Sequence, residues 1–140
     1  MQFEEEIIIN AWPDVVFAKY ANVVEWHLWD TDVKSASLCG AFEVGSEGEL
    51  EPANGPKARF KLVEVGHDKS FISETKLPLC VMRFEHVLEQ AGESTKVIHR
   101  VNFSGPMTFL WGRLIGSQIR KGLPNALRGL KVLCEAGNHE

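Results

Sequence analysis

The side chains best suited to chemistry in this sequence are His86 and His99, because imidazole titrates near neutral pH and can donate, accept or transfer a proton. They stand on either side of Gly92-Glu93, in two alternating runs at 80–90 and 94–104. A two-residue hairpin centred on Gly92-Glu93, with glycine supplying the positive φ of a type II′ turn, sets the register. Leu88 then faces Val97, His86 faces His99, Phe84 faces Val101 and Met82 faces Phe103. Period two puts all of them on one face of the sheet. That face is apolar except for the two imidazoles, whose Cβ atoms would lie about 5 Å apart. Two readings stand open. The pair orients a polar group of a mostly apolar ligand, or acts on it as acid or base; or the two rings are simply hydrogen-bonded within a structural sheet. Two imidazolium ions side by side in an apolar site are costly, so at least one ring is expected to be neutral.

Large aromatics extend the candidate site. Trp26, Trp29 and Trp111 suit a flat hydrophobic ligand, and equally an ordinary core. Trp29, beside Asp30, is placed at a pocket mouth, and Trp111 across the open end of the sheet, with Ile115 and Ile119 continuing that lining. The candidate ligand-binding set is therefore Trp26, Trp29, Met82, Phe84, His86, His99, Val101, Phe103, Trp111, Ile115 and Ile119. Arg113, Arg120, Lys121, Arg128 and Lys131 face a single Glu135, a basic strip that suits either an anionic head group or plain solvent. On the other side of the hairpin Glu85 faces Arg100 and Arg83 faces Asn102, which reads as a solvated surface with a cross-strand ion pair. Glu4 and Glu6 share the polar face of the first strand and read the same way.

Other chemistries lack their signatures. The sequence has no GxSxG, P-loop or GxGxxG. Cys39, Cys80 and Cys134 form no CxxC, and no HxxxH occurs, so neither a metal site nor a cofactor is expected. An odd number of widely spaced cysteines fits free thiols in a reducing cytoplasm. A formal net charge of -4 gives no overall reason to expect nucleic acid or an anionic membrane as a partner. No apolar run reaches the ~18 residues of a membrane-spanning helix, and the acidic start is unlike a secretory signal.

The elements that must position these residues follow from periodicity. Residues 2–9 read as a strand with Phe3, Ile7 and Ile9 on one face. Pro13 and Asp14 open a short helix running to about Asn22, and a second spans 23–29. Six strands are then expected at 33–41, 46–51, 57–66, 70–77, 80–90 and 94–104, separated by turn residues, as in an antiparallel meander. From 107 to 134 the apolar spacing becomes three-and-four, the mark of a long amphipathic helix. A kink or looser turn is expected at Pro124. Gly112, Gly116, Gly122 and Gly129 each weaken that helix by ~1 kcal/mol, which points to close approaches, motion, or poor propensity rescued by packing. Size and composition fit one globular domain over residues 1–140, of the α+β class.

This order resembles the helix-grip fold of the START-like (SRPBCC) superfamily, in its polyketide cyclase/dehydrase and lipid-transport branch. The likeness rests on Pro13-x-x-Val16-Phe17, Trp26-His27-Leu28-Trp29-Asp30, Gly48-x-Leu50, Leu77-Pro78-Leu79 and Phe84-x-His86. It continues through Thr95-x-Val97-x-His99-x-Val101-x-Phe103-x-Gly105-Pro106. The resemblance implies a curved antiparallel sheet of about seven strands around the long C-terminal helix. It also implies a cavity for a lipid-, polyketide- or quinone-like hydrophobic small molecule. Members include carriers, cyclase- or dehydratase-type enzymes, which here would use His86 or His99 as acid or base, and chaperone activators. Fold alone does not choose among them.

Overall fold

Alternating apolar side chains build one sheet that grips one helix. In the computed structural model, which describes residues 1–136, the strands are β1 (Gln2–Ile9), β2 (Val33–Cys39), β3 (Glu47–Pro52), β4 (Ala58–Gly66), β5 (Ser70–Leu77), β6 (Cys80–Ala91) and β7 (Ser94–Ser104). They lie in the order β1-β7-β6-β5-β4-β3-β2, every pair antiparallel. Between β1 and β2 come the α-helix α1 (Pro13–Ala21) and a tight turn of 3-10 helix, Val23–Leu28. The expected meander is therefore present, with strand ends shifted by a residue or two.

The hairpin register matches the expectation residue for residue: Met82 pairs with Phe103, Phe84 with Val101, His86 with His99 and Leu88 with Val97. Gly92 has φ of 64°, and Glu93 is not among the residues with positive φ, as a type II′ turn requires. On the outer face Arg100 bonds Glu85 at 2.8 Å and Glu4 at 3.2 Å. Glu6 pairs with Lys96 at 3.2 Å, so the carboxylates of β1 belong to a charged sheet surface.

The C-terminal helix is less regular than its periodicity suggests. It starts as α2 (Thr108–Trp111), widens into a π-turn at Gly112–Gly116 and continues as α3 (Ser117–Ala136). The irregularity thus lies at the glycine pair, and α3 runs through Pro124. Proline removes one amide donor, but the turns on both sides are held by packing: Leu123, Ala126, Leu127 and Leu130 are all buried. The glycines serve close contact. A Cβ on Gly129 would run into the backbone carbonyl of Trp29, and one on Gly122 into the carboxyl of Asp32. The loop after the 3-10 turn therefore lies directly against α3.

The core has two parts. The larger joins Ile9, Val16, Tyr20, Trp26, Trp29, Leu62, Phe71, Val97, Leu127 and Leu130. The smaller joins Phe3, Cys80, Val101, Phe103 and Leu123, with Met82, Phe84, Trp111, Ile115 and Ile119 half-buried around it.

Candidate functional site

The histidine pair sits where α1 crosses the concave face of the sheet. Tyr20 points inward from α1 because Val16, Phe17 and Tyr20 share the buried face of that helix. Its hydroxyl and His99 Nε2 share a hydrogen bond of 2.7 Å. His86 Nδ1 donates to the carbonyl of Phe71 at 3.3 Å, which leaves His86 Nε2 as the acceptor. The His86 ring stacks on Phe71 with centroids 3.9 Å apart, and the two imidazole centroids are 4.7 Å apart. Trp26 donates its indole N–H to the carbonyl of Tyr20 at 2.9 Å, fastening the 3-10 turn to α1. Trp29 packs beside Tyr20 and His99, at 5.9 and 6.1 Å between ring centroids. Among the described residues, its buried Nε1 is the side-chain polar atom left with no hydrogen-bond partner in the protein.

Burial sets the charge state of this cluster. It drives the pKa of His86 down to about 3, against backbone hydrogen bonds that act the other way. His99 is held well below its ordinary value by burial and by the neighbouring His86. Tyr20 is raised well above the usual phenol range, again mainly by burial. Near neutral pH the three groups are uncharged. They offer hydrogen bonds, not ionic attraction. Asp30, at the end of the 3-10 turn, is raised to about 6 by burial, although it accepts the Asp32 amide at 3.0 Å.

Beyond Phe84 the concave face changes character. The rings of Phe84 and His86 lie 6.3 Å apart and nearly parallel. Met82 and Phe84 on β6 and Leu77 on β5 are only half-buried, although they point to the helix side of the sheet. Across from them Trp111, Ile115 and Ile119 are half-buried too. α3 packs chiefly against β1, so this part of β5 and β6 is left less covered. These half-buried apolar side chains surround the smaller core, and Phe84 borders the histidine cluster. A separate open cleft of about 920 Å³ lies at the other end of β6, lined by Trp12, Asp14, His67, Lys69, Glu85 and Arg100 among others. Of the sequence-chosen residues it includes only His86. Its lining mixes these charged groups with the apolar side chains of Pro13, Ile72, Val87 and Leu88.

No protein-family model matches the chain, and no curated protein matches its sequence. Solved structures do match. One is the di-domain ARO/CYC StfQ from the steffimycin biosynthetic pathway, at TM-score 0.80 and 11% identity over 99% of this chain and 52% of that one. TTHA0849 from Thermus thermophilus matches at TM-score 0.76 and 15% identity, covering 98% of this chain and 99% of that one. Ara h 8.0201 matches at TM-score 0.73 and 14% identity, covering 97% and 98%. This is the helix-grip fold. At such identities the likeness is one of fold.

Within this helix-grip chain the sequence-chosen residues fall into two groups. Trp26, Trp29, His86 and His99 are buried together in the larger core. Trp29 therefore lies inside, away from any mouth, because Gly129 lets its backbone press against α3. Met82, Phe84, Trp111, Ile115 and Ile119 are half-buried around the smaller core, which holds Val101 and Phe103. Sequence reasoning did not pick out Tyr20, which lies on the apolar face of the first helix. A tyrosine on an otherwise apolar stripe is itself a signal, because a buried phenol needs a partner. Among the described residues no three His, Cys, Asp or Glu side chains are grouped so as to hold a metal.

Proposed function

We propose that this chain binds a hydrophobic small molecule, lipid-, polyketide- or quinone-like, along an apolar groove between β5–β6 and the helix. The observation that carries the reading is the half-burial of Met82 and Phe84 on the concave face, opposite Ile115, Ile119 and Trp111. Apolar side chains on the inner face of a sheet are ordinarily covered, and a matching apolar surface from a ligand would cover these. The inner end supports a ligand with one uncharged polar group. In the histidine cluster beside Phe84, His86 Nε2 is the ring nitrogen able to accept, and the Trp29 indole is a buried donor without a protein partner. The three cysteines are free thiols, so we place the protein in a reducing compartment such as the cytoplasm. No helix of the described residues is long and apolar enough to cross a membrane.

A second reading is proton transfer to a bound polyketone by His86 or His99. Its support is the Tyr20–His99 hydrogen bond, which fixes the ring orientation a general base needs. With a pKa of about 3, however, His86 is a weak base, and it is not an acid near neutral pH. Binding is therefore the stronger reading.

The test is native mass spectrometry of the protein as purified, combined with titration of an anilinonaphthalene sulfonate dye. A retained apolar adduct, and dye affinity that falls roughly tenfold in Phe84→Ser and Ile119→Asn, are the expected results. A protein with no adduct, whose two variants bind dye as the parent does, would sink the proposal.

A further inference from the structure

The tip of the β5–β6 hairpin carries a conformational oddity. Leu77 pairs with Cys80, so Pro78 and Leu79 form a two-residue turn. Proline suits the first central position, but the second has positive φ, and Leu79 occupies it at 55°. Glycine or asparagine belongs there, because the Cβ of an ordinary residue clashes with its own backbone in that region. The side chain gains little burial in return, since Leu79 is 68% exposed. Folding stability does not explain a strained, exposed leucine.

The tip is docked on the start of the C-terminal helix. The Leu79 carbonyl accepts the Met107 amide at 3.1 Å, and the Pro78 carbonyl accepts the Trp111 indole N–H at 2.9 Å. The same short helical stretch exposes Phe109 and Leu114, at 64% and 61%. Phe109 and Arg113 stand four residues apart and share a face, with Leu114 next to Arg113. Charge along these segments is one-sided. Lys76 precedes the tip, Arg113 lies between Phe109 and Leu114 in sequence, and Lys121 follows along the helix, where Arg120 stacks on Phe3. Residues 94–134 contain no Asp or Glu at all. The one carboxylate nearby on β5, Glu74, is held by Arg83 at 2.9 Å.

Exposed leucine and phenylalanine with cations close by along the chain is the chemistry of a surface that rests on an anionic bilayer, with apolar groups in the acyl boundary and cations at the head groups. We propose that Leu79, Phe109 and Leu114, with Lys76 and Arg113, form a peripheral docking surface for anionic lipid membranes, beside the groove that Trp111 lines. The docking does not depend on the groove being a ligand site, and its test uses lipid alone.

The experiment is co-sedimentation with vesicles of phosphatidylcholine containing phosphatidylglycerol, alongside phosphatidylcholine vesicles. The parent protein sediments with the anionic vesicles, and raising the salt releases it. Leu79→Gly relieves the turn, so its Tm is equal to or above the parent's, yet its partition onto anionic vesicles falls roughly tenfold. Phe109→Ser falls similarly, and Arg113→Gln loses only the anionic preference. Failure of the parent protein to bind either vesicle overturns the proposal. So does undiminished binding by Leu79→Gly, or a dimer in analytical ultracentrifugation that Leu79→Gly splits without any vesicle binding.

Discussion

Lowering the pH should destabilise this protein through His86. In the unfolded chain a histidine takes up its proton near pH 6.5, whereas in the native state His86 resists protonation to about 3. Between those values the unfolded state holds the extra proton, so stability falls as pH falls, by about 1.4 kcal/mol per unit. From about pH 7 to pH 5 the loss traceable to His86 is roughly 2 kcal/mol, and His99, depressed by the same burial, adds to it. Asp30 works in the opposite direction. Its native pKa of about 6 lies above the ordinary 3.8, so between those values the native state holds the extra proton and stability rises as pH falls. That returns about 1.4 kcal/mol by pH 5, less than the two histidines remove. The measurement is urea unfolding at several pH values for the parent protein and His86→Gln. Glutamine can still donate to the Phe71 carbonyl but cannot titrate. The variant should lose about 2 kcal/mol less than the parent between pH 7 and 5. Equal pH dependence in the two proteins, or an NMR titration of His86 near 6.5, would refute the reasoning.

Three further outcomes follow from single contacts. Gly129→Ala should destabilise by about 1–3 kcal/mol despite a helix-propensity gain of ~1 kcal/mol, because the Trp29 carbonyl it meets is backbone and cannot turn aside. Gly122→Ala should cost less, since the Asp32 carboxyl can rotate away; thermal melts of the two variants give the comparison. Tyr20→Phe should cost about 1–3 kcal/mol in chemical denaturation by leaving His99 Nε2 without its partner. Asp30→Asn should raise stability by about 1–3 kcal/mol at pH 8 and leave it little changed at pH 4, because the charged form is the one that burial penalises.

How much of this was legible in the sequence depended on distance along the chain. The β6–β7 hairpin was readable because its apolar alternation tolerates no one-residue slip, and Gly92 supplied the turn. The inward placement of Met82 and Phe84 on β6 and of Ile115 and Ile119 on the helix followed from the same periodicities. The bond between Tyr20 and His99 spans 79 residues and follows no local pattern, so the hydrogen-bonding partner of the pair stayed hidden. The glycines of the last helix announced close approaches without saying to what; the answer, Trp29 and Asp32, lies far earlier in the chain. At Pro124 the local rule pointed to an irregularity that packing moved to Gly112–Gly116.

The sheet order also dictates when the protein can be finished. β1 is hydrogen-bonded along its whole length to β7 alone, Gln2 opposite Asn102 and Ile9 opposite Thr95. On the ribosome the first strand made must therefore wait for the last. Until β7 emerges, Phe3, Ile7 and Ile9 have no sheet to join, while the successive hairpins from β2 to β6 can already close. Such non-local pairing slows folding and leaves an apolar strand open to other chains in the interval. The charges of Glu4, Glu5 and Glu6 within that strand are what discourages it from pairing with the wrong partner meanwhile.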